Sequence, residues 1–149
     1  MSLHSYSRVW LHVIWATHHR SRVLLGESAK LLSDYFNQLC QDKDIYLKMN
    51  YVNPEHVHLL LDLPTHFSIA EMIKQLKGNS SHWINQSGIV QGKFRWGRGY
   101  AAFSVSHSAV SQVAQYIGNQ DTHHKRQSFM DEYREFMQKY ELAYHSEIG

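Results

Sequence analysis

The chain has a single cysteine, Cys40, among its 149 residues. A disulfide framework requires at least two cysteines and a thiolate zinc site requires several, so both are excluded within the chain. No apolar run reaches the roughly 20 residues that a membrane-spanning helix needs, and the N-terminus has no signal-peptide pattern. We therefore expect a cytoplasmic protein that does not contact a membrane.

Acidic residues are scarce in the middle of the chain. Between Leu63 and Gln120 a single acid, Glu71, occurs alongside the basic residues Lys74, Lys77, Lys93, Arg95 and Arg98. The net charge of the whole chain is only +2, so this basic segment belongs to a nearly neutral protein. The segment predicts a surface that attracts phosphate backbones, although a solvated face with scattered lysines is an alternative.

Strand and helix patterns alternate along a chain of single-domain size, and we place one domain over 1–149. The patterns predict strands at 6–16, 45–52, 56–63 and 101–105, and helices at 27–42, from 68, from 108 and from 128. The order β-α-β-β-α-β is that of a ferredoxin-like α+β sheet with helices on one face, here followed by additional C-terminal helices. This order places the first and third strands in the middle of the sheet.

The third strand carries two histidines on one face. The dipeptide Asn53-Pro54 starts a turn, and the apolar run after it has the length of a strand. Alternation directs the side chains of Val57, Leu59, Leu61 and Leu63 into a core, whereas His56 and His58 share the opposite face. Their spacing of roughly 6.5–7 Å suits one bound cation, and we expect the pair on the helix-free face of the sheet or near its rim.

Chance also accounts for a histidine pair of this spacing. With 12 histidines in the chain, about one such pair is expected at random. Two ordinary surface or partly buried histidines therefore remain an alternative to a metal site.

A tyrosine and a glutamine lie one turn apart on the helix that follows the fourth strand. Tyr116 falls at the edge of the buried stripe of this helix, Gln120 follows one turn later, and His123 lies close to the same line. The pattern indicates a hydroxyl placed for chemistry, although a half-exposed tyrosine without a chemical role has the same pattern.

Taken together, the His-Val-His strand after Asn-Pro and the Tyr116–Gln120 pair resemble the single-tyrosine HUH transposases of small bacterial insertion sequences, the IS200-like tyrosine transposases. The resemblance extends to the opening strand at 9–17 and to the basic run His123-His124-Lys125-Arg126. Related hairpin-associated transposases usually have Asn-Pro where this chain has Asn119-Gln120, so the insertion-sequence branch fits better.

The resemblance implies a metal-dependent enzyme. His56, His58 and the amide oxygen of Gln120 would bind a divalent cation, Mg²⁺ or Mn²⁺. Tyr116 would attack the scissile phosphate and form a 5′-phosphotyrosine with release of a 3′-OH, without a nucleotide cofactor. Because a free tyrosine has a pKa of about 10, a base must help to remove its proton, and His123 is the candidate.

The resemblance also implies partners. The substrate would be single-stranded DNA folded into hairpins at the ends of the element, and the protein would be a homodimer in which active sites can be shared between subunits. The residues expected to contact DNA are Arg20, Arg22, Lys74, Lys77, Arg95, Trp96 and Arg98. The alternative function is that of a domesticated protein that binds or nicks single-stranded DNA hairpins.

Overall fold

The computed structural model describes residues 5–120 and 128–140. The strands are β1 (Trp10–Ala16), β2 (Leu47–Val52), β3 (His56–Asp62) and β4 (Ala101–Ser104). The helices are α1 (Glu27–Asp42), α2 (Ile69–Ser87), α3 (Val110–Gly118) and α4 (Phe129–Lys139), with short 3-10 turns at His18–Arg20 and His107–Ala109. These elements lie where the sequence patterns place them, and the α+β ferredoxin-like prediction is confirmed.

The strands form one antiparallel sheet in the order β2-β3-β1-β4. β1 and β3 are therefore the central pair, as predicted from the order of elements. In their register Ile14 lies opposite His58, and Ala16 lies opposite His56. A strand that is paired on both sides cannot easily shift its register, so both histidines keep their face of the sheet and their position relative to β1.

The first face of the sheet packs against α1 and α2. It is built from alternate residues of the central strands, with Val13 and Trp15 of β1 and Leu59 of β3 fully buried. Trp15 meets Phe36 of α1 edge-to-face, with their ring centroids 5.8 Å apart. Burial of each such side chain contributes about 1.5–3 kcal/mol, so this face is the main core of the domain.

The second face of the sheet is covered by α3 and α4. Ile14 and Phe103 of the sheet pack with Phe129 and Tyr133 of α4, and α3 packs against Trp10 and its neighbours. The expectation that the histidine pair lies on a helix-free face or near the rim of the sheet is therefore wrong. The physical reason is that the apolar stripe of α4 needs a partner, and this face supplies one.

None of the helices in residues 5–120 and 128–140 is long and apolar enough to cross a membrane.

Candidate metal centre and tyrosine site

Three buried side chains from β3 and α4 converge on one point. His56 and His58 have no exposed surface, and Glu132 is 2% exposed. Their potential ligand atoms all lie within 4.8 Å of one another. Glu132 Oε1 is 3.2 Å from His58 Nε2 and 3.7 Å from His56 Nε2. Two imidazole nitrogens and one carboxylate oxygen are a ligand set that can bind a divalent cation.

Each imidazole of the pair is oriented by a second group at its Nδ1 atom. His56 Nδ1 lies 2.6 Å from a carboxylate oxygen of Glu55, and His58 Nδ1 lies 2.7 Å from His12 Nε2. Burial, reinforced by the neighbouring His58, lowers the pKa of His12 well below its usual value, so His12 is neutral and its Nε2 can accept a hydrogen bond from His58 Nδ1–H. Both Nε2 atoms then face the cluster as acceptors, as in carboxylate–histidine–metal arrangements, and Asn53 Nδ2 lies 3.2 Å from His56 Nε2, so a metal at this nitrogen would displace the Asn53 amide.

The carboxylate of Glu55 connects this centre to the protein surface. Its second oxygen accepts a hydrogen bond from Arg22, whose side chain is 67% exposed. A chain of contacts thus runs from an exposed guanidinium through Glu55 to His56. Contact between Arg22 and DNA stays a prediction. The structure connects this guanidinium to the buried His56 through a single intervening side chain, that of Glu55.

Tyr116 lies beside the same cluster. Its ring contacts His58 edge-on with centroids 6.2 Å apart, and it contacts Phe136 in the same manner at 5.9 Å. Its hydroxyl donates a hydrogen bond to Glu132 Oε2. Burial raises the pKa of Tyr116 well above its usual value, and the hydrogen bond to Glu132 and the charge of that carboxylate add to the effect. The hydroxyl therefore keeps its proton, directed at a carboxylate.

Gln120 is fully buried next to the cluster, but its side-chain oxygen is directed elsewhere. Gln120 Oε1 accepts a hydrogen bond from Asn53 Nδ2 at 3.3 Å. Gln120 Nε2 lies 3.4 Å from Glu132 Oε2 and donates to the Tyr116 carbonyl at the same distance. Gln120 thus links the end of α3 to the turn before β3, and its role as a metal ligand stays a prediction.

The sequence interpretation missed Glu132, Glu55 and His12. Glu132 interrupts the apolar stripe that Phe129 and Phe136 define on α4, and an acid within such a stripe is a signal of a buried role. His12 alternates with apolar neighbours on a central strand, which is the corresponding signal for a strand. His123, which was the predicted base, lies outside the described residues together with the basic run that follows it.

Two of the predicted DNA contacts have structural roles. Lys77 Nζ donates to the carbonyls of Gly97 and Gly99 at 2.8 and 3.0 Å, and burial lowers its pKa. The indole of Trp96 packs edge-on against Trp15 at 5.8 Å and donates to Ser80 Oγ at 2.9 Å. These contacts hold the loop before β4 on α2, a role that the basic and aromatic pattern did not indicate. Contact of either side chain with DNA stays a prediction.

The structure brings together two loops that carry predicted DNA contacts. The His18 backbone N–H donates to the Arg95 carbonyl at 3.0 Å, and Thr17 forms an isolated bridge with Trp96. The loop that carries Arg20 and Arg22 therefore lies beside the loop that carries Arg95 and Arg98. Lys74, on α2, is exposed like Arg95 and Arg98. Adjacent exposed cations are suited to contact a phosphate backbone.

Replacing Lys77 with alanine should destabilise the domain by about 1–2 kcal/mol, because two backbone carbonyls lose a charged donor. Urea denaturation followed by circular dichroism measures this free energy of unfolding. Lys74→Ala is the matched control, since Lys74 lies on the same helix and is exposed. Equal stability of the two variants would contradict the structural role of Lys77.

The chain is similar to known transposases over most of its length. The model of the family described as "Transposase IS200 like" matches residues 5–120. The ISDra2 transposase TnpA of Deinococcus radiodurans is 30% identical over 114 residues, covering 73% of this chain and 81% of that protein. The transposase for insertion sequence element IS200 of Salmonella typhimurium is 27% identical over 114 residues, covering 73% of this chain and 74% of that protein.

Solved structures agree with the fold. The crystal structure of a protein from Deinococcus radiodurans R1 described as a transposase has a TM-score of 0.63 and 29% identity, and the match covers 80% of this chain and 96% of that chain. A REP-associated tyrosine transposase bound to a REP hairpin has a TM-score of 0.57 at 17% identity, covering 83% of this chain and 74% of that chain. At that identity the second likeness supports the fold alone.

Proposed function

The chain belongs to the IS200-like transposase family, and from that premise we propose that it cuts and rejoins single-stranded DNA at hairpin-marked ends of its element. The observation that supports this most strongly is the convergence of a tyrosine hydroxyl and two histidine Nε2 atoms around Glu132. A protein that only binds hairpins has no need for this convergence. Cleavage by a tyrosine requires it, because nucleophile and metal ligands must reach the same phosphate.

The residues present fit a divalent cation. His56 and His58 would hold it through their Nε2 atoms, with Gln120 as a further ligand if its amide turns, and either Mg²⁺ or Mn²⁺ suits such a site. When bound, the ion would polarise the scissile phosphate. Glu55 and His12 fix the two imidazole rings, so the pair needs little rearrangement to receive the ion.

Tyr116 would act as the nucleophile. Its oxygen attacks the phosphorus in line, the bond from phosphorus to the 3′ oxygen breaks, and the products are a 5′-phosphotyrosine and a 3′-OH. The phosphoester bond is exchanged rather than hydrolysed, so rejoining needs no nucleotide cofactor. The proton of the hydroxyl must leave before or during attack, since its pKa is raised in the resting site.

DNA reaches this site only after a movement of the protein. His56 and His58 have no exposed surface, because the C-terminal helices cover them. A small outward movement of α3 that keeps Tyr116 and Glu132 within reach of the imidazoles would open the cluster to a phosphate. The adjacent loops with Arg20, Arg22, Arg95 and Arg98 would hold the backbone of the strand while this happens.

The test of this function is formation of a covalent adduct. The protein is incubated with Mn²⁺ and a labelled single strand that carries the hairpins flanking its own gene, and the products are separated on a denaturing gel. We expect a band of the protein covalently joined to DNA, and none with a duplex of the same sequence. Binding without an adduct would favour the alternative of a domesticated hairpin-binding protein. The absence of both binding and adduct would refute the proposal.

The arrangement of the site predicts how mixed dimers behave. Tyr116 contacts His58 and Glu132 of its own chain, so each active site forms within one subunit in this arrangement. A mixture of Tyr116→Phe and His56→Ala subunits should therefore form no adduct, with light scattering used to establish that dimers are present. Recovery of the adduct in the mixture would show that subunits exchange their tyrosine helices and share sites.

A further inference from the structure

We infer that Glu132 is the carboxylate ligand that completes the metal site, which makes α4 part of the catalytic unit. This inference rests on the proposed function and goes beyond the His56, His58 and Gln120 ligand set that the sequence suggests. Glu132 also lies outside the segment that the family model matches, since that segment ends at residue 120.

The two oxygens of Glu132 divide their contacts. Oε1 faces both imidazoles, 3.2 Å from His58 Nε2 and 3.7 Å from His56 Nε2. Oε2 faces the other way, where it accepts the hydrogen bond from the Tyr116 hydroxyl and lies 3.4 Å from Gln120 Nε2. An ion placed between Oε1 and the two nitrogens would therefore leave the contact with Tyr116 intact, and the nucleophile would lie next to the ion.

The position of Glu132 is determined by the packing of α4. Ser128 begins the helix, and its side chain accepts a hydrogen bond from the Asp131 backbone N–H at 3.2 Å. One turn before Glu132, the ring of Phe129 stacks on His56 with centroids 4.2 Å apart. One turn after it, Phe136 contacts His12 at 5.3 Å. Aromatic rings on both sides thus hold the carboxylate against the histidine pair.

The chemistry of the cluster favours a cation. Burial of a carboxylate is costly unless positive charge lies beside it, and a divalent ion supplies that charge. Mg²⁺ and Mn²⁺ prefer hard anionic oxygens, which two neutral imidazoles do not provide. The amide oxygen of Gln120 is directed at Asn53, so Glu132 is the better-placed third ligand. Three protein ligands would leave coordination positions for phosphate oxygens.

Metal binding tests this assignment without any need for activity. Calorimetric titration of the wild-type protein with Mn²⁺ should show one site per chain, and Glu132→Gln should weaken the affinity by about tenfold or more. The glutamine keeps the size and hydrogen-bonding capacity of the side chain but removes its charge. Glu135→Gln is the matched control, since Glu135 lies on the same helix and is exposed, and it should bind Mn²⁺ like the wild type.

A second pair of measurements separates a ligand from a packing residue. Adduct formation by Glu132→Gln should recover as the Mn²⁺ concentration is raised, because the defect is one of affinity. A variant damaged only in its fold would show no such recovery, and that result would overturn the assignment. If Glu132→Gln proves unstable, Glu132→Asp replaces it: the carboxylate sits on a shorter side chain, so Mn²⁺ should still bind but more weakly than to the wild type, and wild-type affinity would overturn the assignment.

The outcomes also distinguish this inference from the proposed function. Loss of Mn²⁺ binding in His56→Ala with wild-type affinity in Glu132→Gln would refute the role of Glu132 and leave the histidine site standing. Wild-type affinity in both variants would refute the metal site itself. Loss in both, with Glu135→Gln unaffected, is the expected result.

Discussion

Tyr116→Phe should abolish both strand cleavage and the covalent adduct, since the substitution deletes the attacking oxygen and keeps the ring. Without that atom no phosphotyrosine can form, so the loss should be complete rather than partial. A denaturing gel with labelled hairpin DNA measures it. Tyr35→Phe is the control, because it removes a hydroxyl that donates to the Asn79 carbonyl on the opposite side of the sheet. An adduct formed by Tyr116→Phe would identify a different nucleophile.

The same variant should remain folded and should still bind DNA. Glu132 loses one hydrogen-bond donor but keeps its contact with Gln120, so we expect a cost of about 1 kcal/mol in the free energy of unfolding. The basic loops around Arg22 and Arg95 are untouched. A gel-shift assay should therefore show hairpin binding close to that of the wild type, which separates binding from chemistry.

Removal of the divalent ion should also reduce cleavage strongly. Polarisation of a phosphate by a metal stabilises the transition state by several kcal/mol, so treatment with EDTA should lower the cleavage rate by at least about a hundredfold. Addition of Mn²⁺ should restore the activity of the wild-type protein. His58→Ala should stay inactive after the same addition, because one of the two nitrogen ligands is gone.

Two controls test whether the loss of activity in His58→Ala comes from loss of a metal ligand. His66→Ala removes an exposed imidazole from the loop after β3 and should behave like the wild type. His58→Ala also leaves a cavity beside His12, so circular dichroism must show that the variant is folded, and His58→Gln fills the space if it is not. Undiminished cleavage by the EDTA-treated wild type would contradict the metal-dependent mechanism.

The strand with the histidine pair could be predicted from sequence because a strand has only two faces. Once Val57 and Leu59 are assigned to the core, His56 and His58 must share the other face, and the structure confirms this. The placement of Tyr116 near the pair followed from the family resemblance. Periodicity within one helix does not show which sheet face the helix covers.

The coverage of the second sheet face could have been inferred from β1. Trp10, Ile14 and Ala16 make that face apolar, which conflicts with a face left free of helices. The position of Glu132 is harder to predict, because it depends on how α4 packs over a strand that lies far away in sequence. Lys77 shows the same limit, since residue type does not distinguish a cation that binds DNA from one that binds backbone carbonyls.

The central position of β3 has a consequence for how such a protein changes over evolutionary time. A one-residue insertion or deletion in β3 would turn the imidazoles into the leucine core and the leucines toward α4, so the fold and the site would be lost together. Single substitutions at His56 or Tyr116 can remove chemistry and leave the sheet intact. A lineage released from selection for cleavage would therefore lose these side chains while the sheet that carried them persists.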